Sequence, residues 1–238
     1  MKQIIPTLFI SLIFGATAFG QESLKTAFDS GSAYARTGNF EKALADFQTA
    51  FNLADAADVS LETRAQLHFN IAVCNYRLGR SSLAVGEFTA AIARRPRYEK
   101  AFYALGMAEA ERRNWSSAQT AFQAAIDINR KNAEAWFDLG YVYLAIKDLD
   151  AAKTAFEQAA KYKSVDSAVS HNNIGVILAA YGDTRRAIAE FELALRLSAN
   201  ELETAARNLA ICRRQEIIAG KLVAANLEFG RPARYFGN

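Results

Sequence analysis

The stretch AWFDLGYVYLAIKDLDAAKTAFEQAA, Ala135 to Ala160, reads as two amphipathic helices around a short polar turn. Apolar residues recur at helical spacing on both sides of Lys147-Asp148, and no sustained alternation of β-branched residues interrupts them. The anomaly is Gly140, placed in the middle of the first helix, where glycine costs about 1 kcal/mol relative to alanine. A glycine kept at such a place calls for a packing reason.

That reason follows from the preceding segment, AFYALGMAEAERRNWSSAQTAFQAAI from Ala101, which repeats the pattern at an offset of 34 residues. Phe102 falls on Trp136, Leu105 on Leu139, Gly106 on Gly140, Ala118 on Ala152, Phe122 on Phe156 and Ala125 on Ala159. A shift of 35 brings His171, Ile174, Gly175, Ala187, Phe191 and Ala194 into the same slots. Shifting back gives His68, Ile71, Ala72, Ala84, Phe88 and Ala91, followed by Pro96. A further copy carries Gly31, Tyr34, Ala43, Phe47 and Ala50, and about seven extra residues within NLADAADVS separate it from the next. That insertion predicts a longer connection within one array.

Trp136, Leu139, Gly140, Tyr143, Ala152, Phe156 and Ala159 match, slot by slot, the pattern W-x2-L-G-x2-Y, A-x3-F and a further alanine. On these residues the chain resembles the tetratricopeptide repeat family, with Ser164 where the closing proline would stand. The resemblance covers about Leu24 to Ala199 as five repeats. It implies an all-α, right-handed helical-hairpin solenoid, a tetratricopeptide superhelix. The expected organisation is a leader over 1–20, repeats over 21–200, a capping helix over 201–220 and a tail over 221–238. The tyrosine slot departs from the pattern at Asn75, Glu109 and Leu178, where looser packing is expected.

Gly140 now has its reason. Two antiparallel helices approach closely only where the facing position is nearly bare, and the slot holds Gly31, Ala72, Gly106, Gly140 and Gly175, with Ala210 in the cap. The second-helix aromatic, Phe47, Phe88, Phe122, Phe156 or Phe191, fills the space beside it. Gly38, Gly79 and Gly182 stand where a left-handed residue ends the first helix, with Asn39 and Asp183 available to cap the second. One hairpin cannot cover its own apolar face, so stability is expected between repeats. Arg207, Arg213, Arg214 and Glu216, interleaved with Leu209, Ile211 and Ile217, suit a polar outer face on the closing helix. The tail LEFGRPARYFGN can hang free or fold back on the stack, and Tyr235-Phe236 could serve as a small docking motif.

Lys2 precedes the apolar run IIPTLFISLIFGA, and no acidic residue comes before Glu22. This is the pattern of a secretory signal, with cleavage expected after Ala18 or Gly20. An uncleaved anchor is the alternative, but Pro6, Thr7 and Ser11 interrupt a run already short for a span of about 20 residues. The expectation is a periplasmic or secreted protein with no stable membrane insertion after cleavage. A net charge of +3 over 238 residues gives no general attraction to polyanions. The clusters Arg94, Arg95, Arg97, Lys100 and Arg207 onward leave an anionic envelope polymer or acidic protein open as a partner. RNA, bound by the related pentatricopeptide arrays, is disfavoured by the Trp, Gly, Ala and Phe slots and by export, so no nucleic-acid partner is expected.

No cofactor, metal or catalytic site is expected. His68 and His171 occupy the slot of Phe102 and Trp136 and read as packing substitutes. Cys74 and Cys212 fall in the slot of Ala33, Ala108, Val142 and Ile177 and read as small buried groups. Four repeats apart, with helices spaced about 8 to 10 Å, they are too distant for a disulfide. No G-x-S-x-G, H-E-x-x-H, C-x-x-C or phosphate loop is present. Glu109 and Glu111 read as solvated surface, and Asn114, within a glycosylation-like Asn-Trp-Ser, as a helix cap.

In the resembled family, first helices line the concave face, and positions two, five, six, nine, twelve and thirteen of each unit point into it. Counted from Ala65, Glu99, Ala133 and Ala168, position five holds Phe69, Tyr103, Phe137 and Asn172. Position nine holds Val73, Met107, Tyr141 and Val176. An exposed aromatic stripe is expected, of the kind that anchors a partner. At position six, Asn70, Asp138 and Asn173 could hydrogen-bond the backbone of an extended peptide, and Lys100 at position two could meet a carboxylate. The alternatives are that the aromatics stack on each other or that the tail fills the groove. A family clamp for a terminal carboxylate, Lys, Asn, Asn, Lys and Arg, is matched only by Asn70 and Lys100, with Phe28, Ser32 and Ala104 elsewhere, so chaperone-type activity is not expected. The resemblance implies a noncatalytic adaptor or assembly factor holding a peptide or helix of another protein, with oligomerisation open. The competing expectation is an envelope carrier or sensor for a small apolar or glycan ligand, and a third is a residual enzyme.

Overall fold

A computed structural model describes residues 18–56, 59–163, 166–218 and 227–229. Residues 1–17, and with them most of the expected leader, lie outside this part, as do Ser164 and Tyr235-Phe236. The described residues form eleven helices and no strand. They are α1 (Ala18–Arg36), α2 (Phe40–Ala56), α3 (Leu61–Arg77), α4 (Ser81–Arg94), α5 (Glu99–Glu111), α6 (Trp115–Ile128), α7 (Ala133–Ala145), α8 (Leu149–Lys161), α9 (Ser167–Ala180), α10 (Thr184–Leu197) and α11 (Glu203–Ile218). Two compact units divide between Ile128 and Asn129, so α1–α6 and α7–α11 are described separately.

Each odd-numbered helix pairs with the even-numbered helix after it, giving five hairpins, and within each unit successive hairpins stack. The second helices bury a narrow stripe of small residues around one ring: Ala84, Phe88 and Ala91 in α4, Ala118, Phe122 and Ala125 in α6, Ala152, Phe156 and Ala159 in α8, Ala187, Phe191 and Ala194 in α10. Their opposite faces are solvated, which is the amphipathic pattern of an outer helix. Within the units, α3, α5 and α9 are buried on more than one side because a second helix packs on each flank.

The bare slot behaves as its sequence requires. A Cβ on Gly106 would stand 2.6 Å from Phe122 Cδ1, on Gly140 2.7 Å from Phe156 Cε1, and on Gly175 2.6 Å from Phe191 Cε1. At Gly31 the ring of Phe47 leaves 3.1 Å. Ala72 is fully buried in the same slot, whereas Ala210 in α11 is exposed, no second helix following it among the described residues.

All five hairpin turns close alike. Asn39, Arg80, Asn114, Asp148 and Asp183 each donate their backbone N–H to the carbonyl five residues back, on Tyr34, Asn75, Glu109, Tyr143 and Leu178. This is the six-to-one bond of a Schellman turn, and it needs a left-handed residue just before it. Gly38, Gly79 and Gly182 supply φ of 80°, 75° and 83°; Arg113 and Lys147 adopt 59° and 64° despite carrying a side chain. Side-chain caps follow at α2, α8 and α10, where Asn39, Asp148 and Asp183 accept from the amides of Lys42, Ala151 and Arg186.

The insertion after the first hairpin is in part helix. It lengthens α2 to 17 residues and is followed by Ser60, whose hydroxyl caps α3 by accepting from the Thr63 amide. Glu109 corrects the expectation of a solvated surface acid. It is 8% exposed, pairs with Arg112 at 2.8 Å and accepts from Asn114 Nδ2 at 2.7 Å, because the tyrosine slot it fills faces inward. Asn114 thus spends its side-chain amide on Glu109, while Glu111 is exposed and accepts from Ser81.

Candidate functional site

The first-helix positions singled out above are mostly closed. In the unit ending at Ile128, Phe69 is 7% exposed and packs on Phe88 and Tyr98, with ring centroids 5.7 and 5.1 Å apart. Val73 and Met107 are buried as well. Lys100 and Tyr103 are half-buried, Tyr103 standing over Phe122 at 5.8 Å. In the other unit Phe137 is fully buried against Phe156 and Tyr141, at 5.7 and 5.1 Å, and Tyr141 reaches Phe156 edge-on at 5.4 Å. Val176 is buried beside them. The expected exposed aromatic stripe is therefore corrected: these rings help seal their own hairpins, because the second-helix phenylalanine reaches across to them. Lys100, Tyr103 and Tyr141 remain partly open.

The amides are the more informative group. In the unit from Asn129, Asp138, Asn172 and Asn173 have no exposed surface. Asn173 donates to the Tyr141 hydroxyl at 2.8 Å, and Asn172 donates to Asn173 Oδ1 at 3.2 Å. Asn172 Oδ1 accepts from Asn208 Nδ2 at 2.9 Å. This chain of side chains leads to the segment Leu227–Phe229, whose middle residue turns its N–H and C=O to the same side, toward it. Asn208 grips the backbone of Glu228 at both ends, donating to its carbonyl at 2.8 Å and accepting from its N–H at 3.0 Å. Asn172 adds a longer bond to the same carbonyl, 3.3 Å. Arg207 meets the Glu228 carboxylate at 2.8 Å, and Leu227, 9% exposed, joins the apolar cluster that contains Phe137, Phe156 and Val176. The open alternative of a folded-back tail is thus realised at these three residues.

Asn208 was not singled out from sequence, although it stands 35 residues after Asn173 and so occupies position six of the closing helix. Treating that helix as a cap concealed the correspondence. Arg207, read as outer-face polarity, is directed to the tail instead. In the other unit, position six holds Asn70, 4% exposed, whose Nδ2 finds no hydrogen-bond partner among the described residues. Ser32 Oγ is orphaned likewise. Buried donors of this kind are costly unless something meets them.

The histidines are more than packing substitutes. His68 Nδ1 meets Glu87 and His171 Nδ1 meets Glu190, both at 2.6 Å and both across nineteen residues, tying first helix to second at the same place in two repeats. Among the described residues, no group of three His, Cys, Asp or Glu could hold a metal ion, and no helix is long and apolar enough to cross a membrane. Cys74 and Cys212 are buried thiols, and burial pushes the Cys74 thiol up to about 12. In the basic cluster near Pro96, Arg95 is engaged, pairing with Glu62 at 3.0 Å and covering the Tyr98 ring. Burial raises the Tyr98 hydroxyl to about 12.

Residues 28–99, 103–164 and 143–202 match the family model described as tetratricopeptide repeat. Among curated proteins, the chain is 34% identical over 88 residues to the FK506-binding protein-like protein of Homo sapiens, covering 37% of this chain and 25% of that one. It is 26% identical over 133 residues to the BBSome complex member BBS4 of Xenopus tropicalis, covering 56% and 26%. The chain spans about a quarter of the length of these relatives. Among solved structures, MamA superposes with a TM-score of 0.66 at 21% identity, over 77% of this chain and 96% of that one. YrrB, described as a TPR protein with an unusual peptide-binding site, superposes with 0.62 at 19% identity, over 76% and 90%.

Proposed function

The chain belongs to the tetratricopeptide repeat family, and from that premise we propose that it is a noncatalytic, exported adaptor or assembly factor that holds an extended peptide of a partner protein against its first helices. Its fold is consistent with a protein–protein interaction scaffold. The observation that carries the finer reading is the two-point grip of Asn208 on the Glu228 backbone. A side-chain amide that satisfies both the N–H and the C=O of one residue reads an extended chain without regard to its side chains. Such a grip costs the bound chain little, since an extended peptide otherwise gives these groups to water. The relation to YrrB, with its peptide-binding site, points the same way.

Of the first-helix aromatics proposed to meet a partner, Tyr103 in one unit and Tyr141 in the other are partly open. Replacing both by alanine is expected to reduce recovery of partner proteins from an envelope extract at least tenfold. Both rings touch second-helix phenylalanines, so some stability is lost as well, and the comparison belongs at a temperature where circular dichroism finds the variant folded. Undiminished recovery of the same partners by the folded variant refutes the assignment of these positions. Export is tested separately by the amino terminus of the mature protein, expected at Phe19 or Gln21; an intact Met1 retained in the cytoplasm refutes it.

A further inference from the structure

We infer that Leu227–Phe229 is a resident, displaceable ligand of the chain's own binding face, and that the partner peptide it stands in for is extended and carries an apolar residue followed by an acidic one. The inference rests on the peptide-binding reading above. Three features separate this segment from an ordinary structural strand. Among the described residues it is held through one apolar side chain, Leu227, one backbone residue, Glu228, and one ion pair to Arg207. Its aromatic, Phe229, is left 36% exposed although buried rings lie within the same unit. Its polar contacts are made by position five of α9 and positions five and six of α11, which are the positions the family resemblance directs toward a ligand.

The contact also defines what is read. Asn208 and Asn172 recognise the backbone of the middle residue, which fixes an extended conformation and is indifferent to side chain. Arg207, itself flanked by Glu203 at 3.7 Å, selects a carboxylate at that residue, and the Phe137 and Phe156 cluster selects an aliphatic side chain before it. Being part of the same chain, the segment competes at an effective concentration on the order of millimolar. A partner must therefore bind well or arrive with additional contacts, and the uncovered face exists only when the tail has left.

The test uses the full chain and a fluorescein-labelled peptide, AANLEFGR, identical to residues 224–231. Leu227→Asp with Glu228→Pro removes the apolar anchor and the donated N–H from the tail, and the peptide is expected to bind this variant at least tenfold more tightly than wild type. Adding Arg207→Glu to it should weaken that peptide and favour one with lysine at the glutamate position. Equal binding to wild type and the tail variant, or no preference for the acidic peptide, overturns the inference. Should the double substitution reduce helicity, Glu228→Lys alone gives the same comparison, with about a threefold gain expected and no gain overturning it. The peptide assay involves no partner, so its failure leaves the adaptor reading standing. Peptide binding that leaves partner recovery unchanged at saturation overturns the adaptor reading instead.

Discussion

A missing Cβ at Gly106, Gly140 and Gly175 lets a phenyl ring lie against the helix backbone, and the distances rank the sites. Gly106→Ala, Gly140→Ala and Gly175→Ala each place a carbon under 3 Å from a buried ring and are expected to destabilise by about 1 to 3 kcal/mol in urea unfolding. Gly31→Ala meets its ring at 3.1 Å and recovers up to about 1 kcal/mol of helix propensity, so it should come out near neutral. Equal losses at all four sites would contradict ring contact as the cause. The glycine and its ring were legible from sequence because a repeated exception to helix propensity demands a repeated neighbour. Glu109 was not, because in isolation an acid on a helix reads as solvated; only the inward direction of its slot, and the nearby Arg112 and Asn114, make its burial tolerable.

Helix ends are where individual elements respond to solution conditions. Asp183 caps α10, and hydrogen bonds from the Arg186 backbone, then from its guanidinium, hold the carboxyl below its ordinary value of 3.8. A carboxyl whose pKa is lowered on folding stabilises the fold above that ordinary value and ceases to do so as pH falls through the lowered one. Amide exchange at Arg186 should therefore quicken on acidification below pH 4 relative to interior α10 amides, and Asp183→Asn should remove that pH dependence. A pH-independent ratio in wild type would refute the cap. The turns before these helices were readable where glycine marks them; at Arg113 and Lys147 the alignment of repeats, not the residue type, reveals the left-handed turn. The His68–Glu87 and His171–Glu190 ties were hidden for a related reason, since nineteen residues separate partners that only the hairpin brings together.

On the scale of the molecule, each compact unit has its own apolar core, and in the unit from Asn129 Phe156 is touched by Phe137, Tyr141 and the bare face at Gly140. Phe156→Ala is expected to cost about 3 to 5 kcal/mol, with protection against hydrogen exchange lost first in α7, α8 and α9. Uniform loss over all described helices would refute localised stabilisation. The repeat count and order were legible throughout because periodicity survives substitution, whereas the tail's place was not, since no spacing links Glu228 to Asn208. The buried sulfurs give the arrangement a practical use. Cys74 belongs to one compact unit and Cys212 to the other, each sealed from solvent, with the Cys74 thiol far from ionising at neutral pH. A maleimide reacts only with a thiolate it can reach, so the rate at which each sulfur is alkylated, resolved by peptide mass, clocks the opening of its own half of the chain without any engineered label.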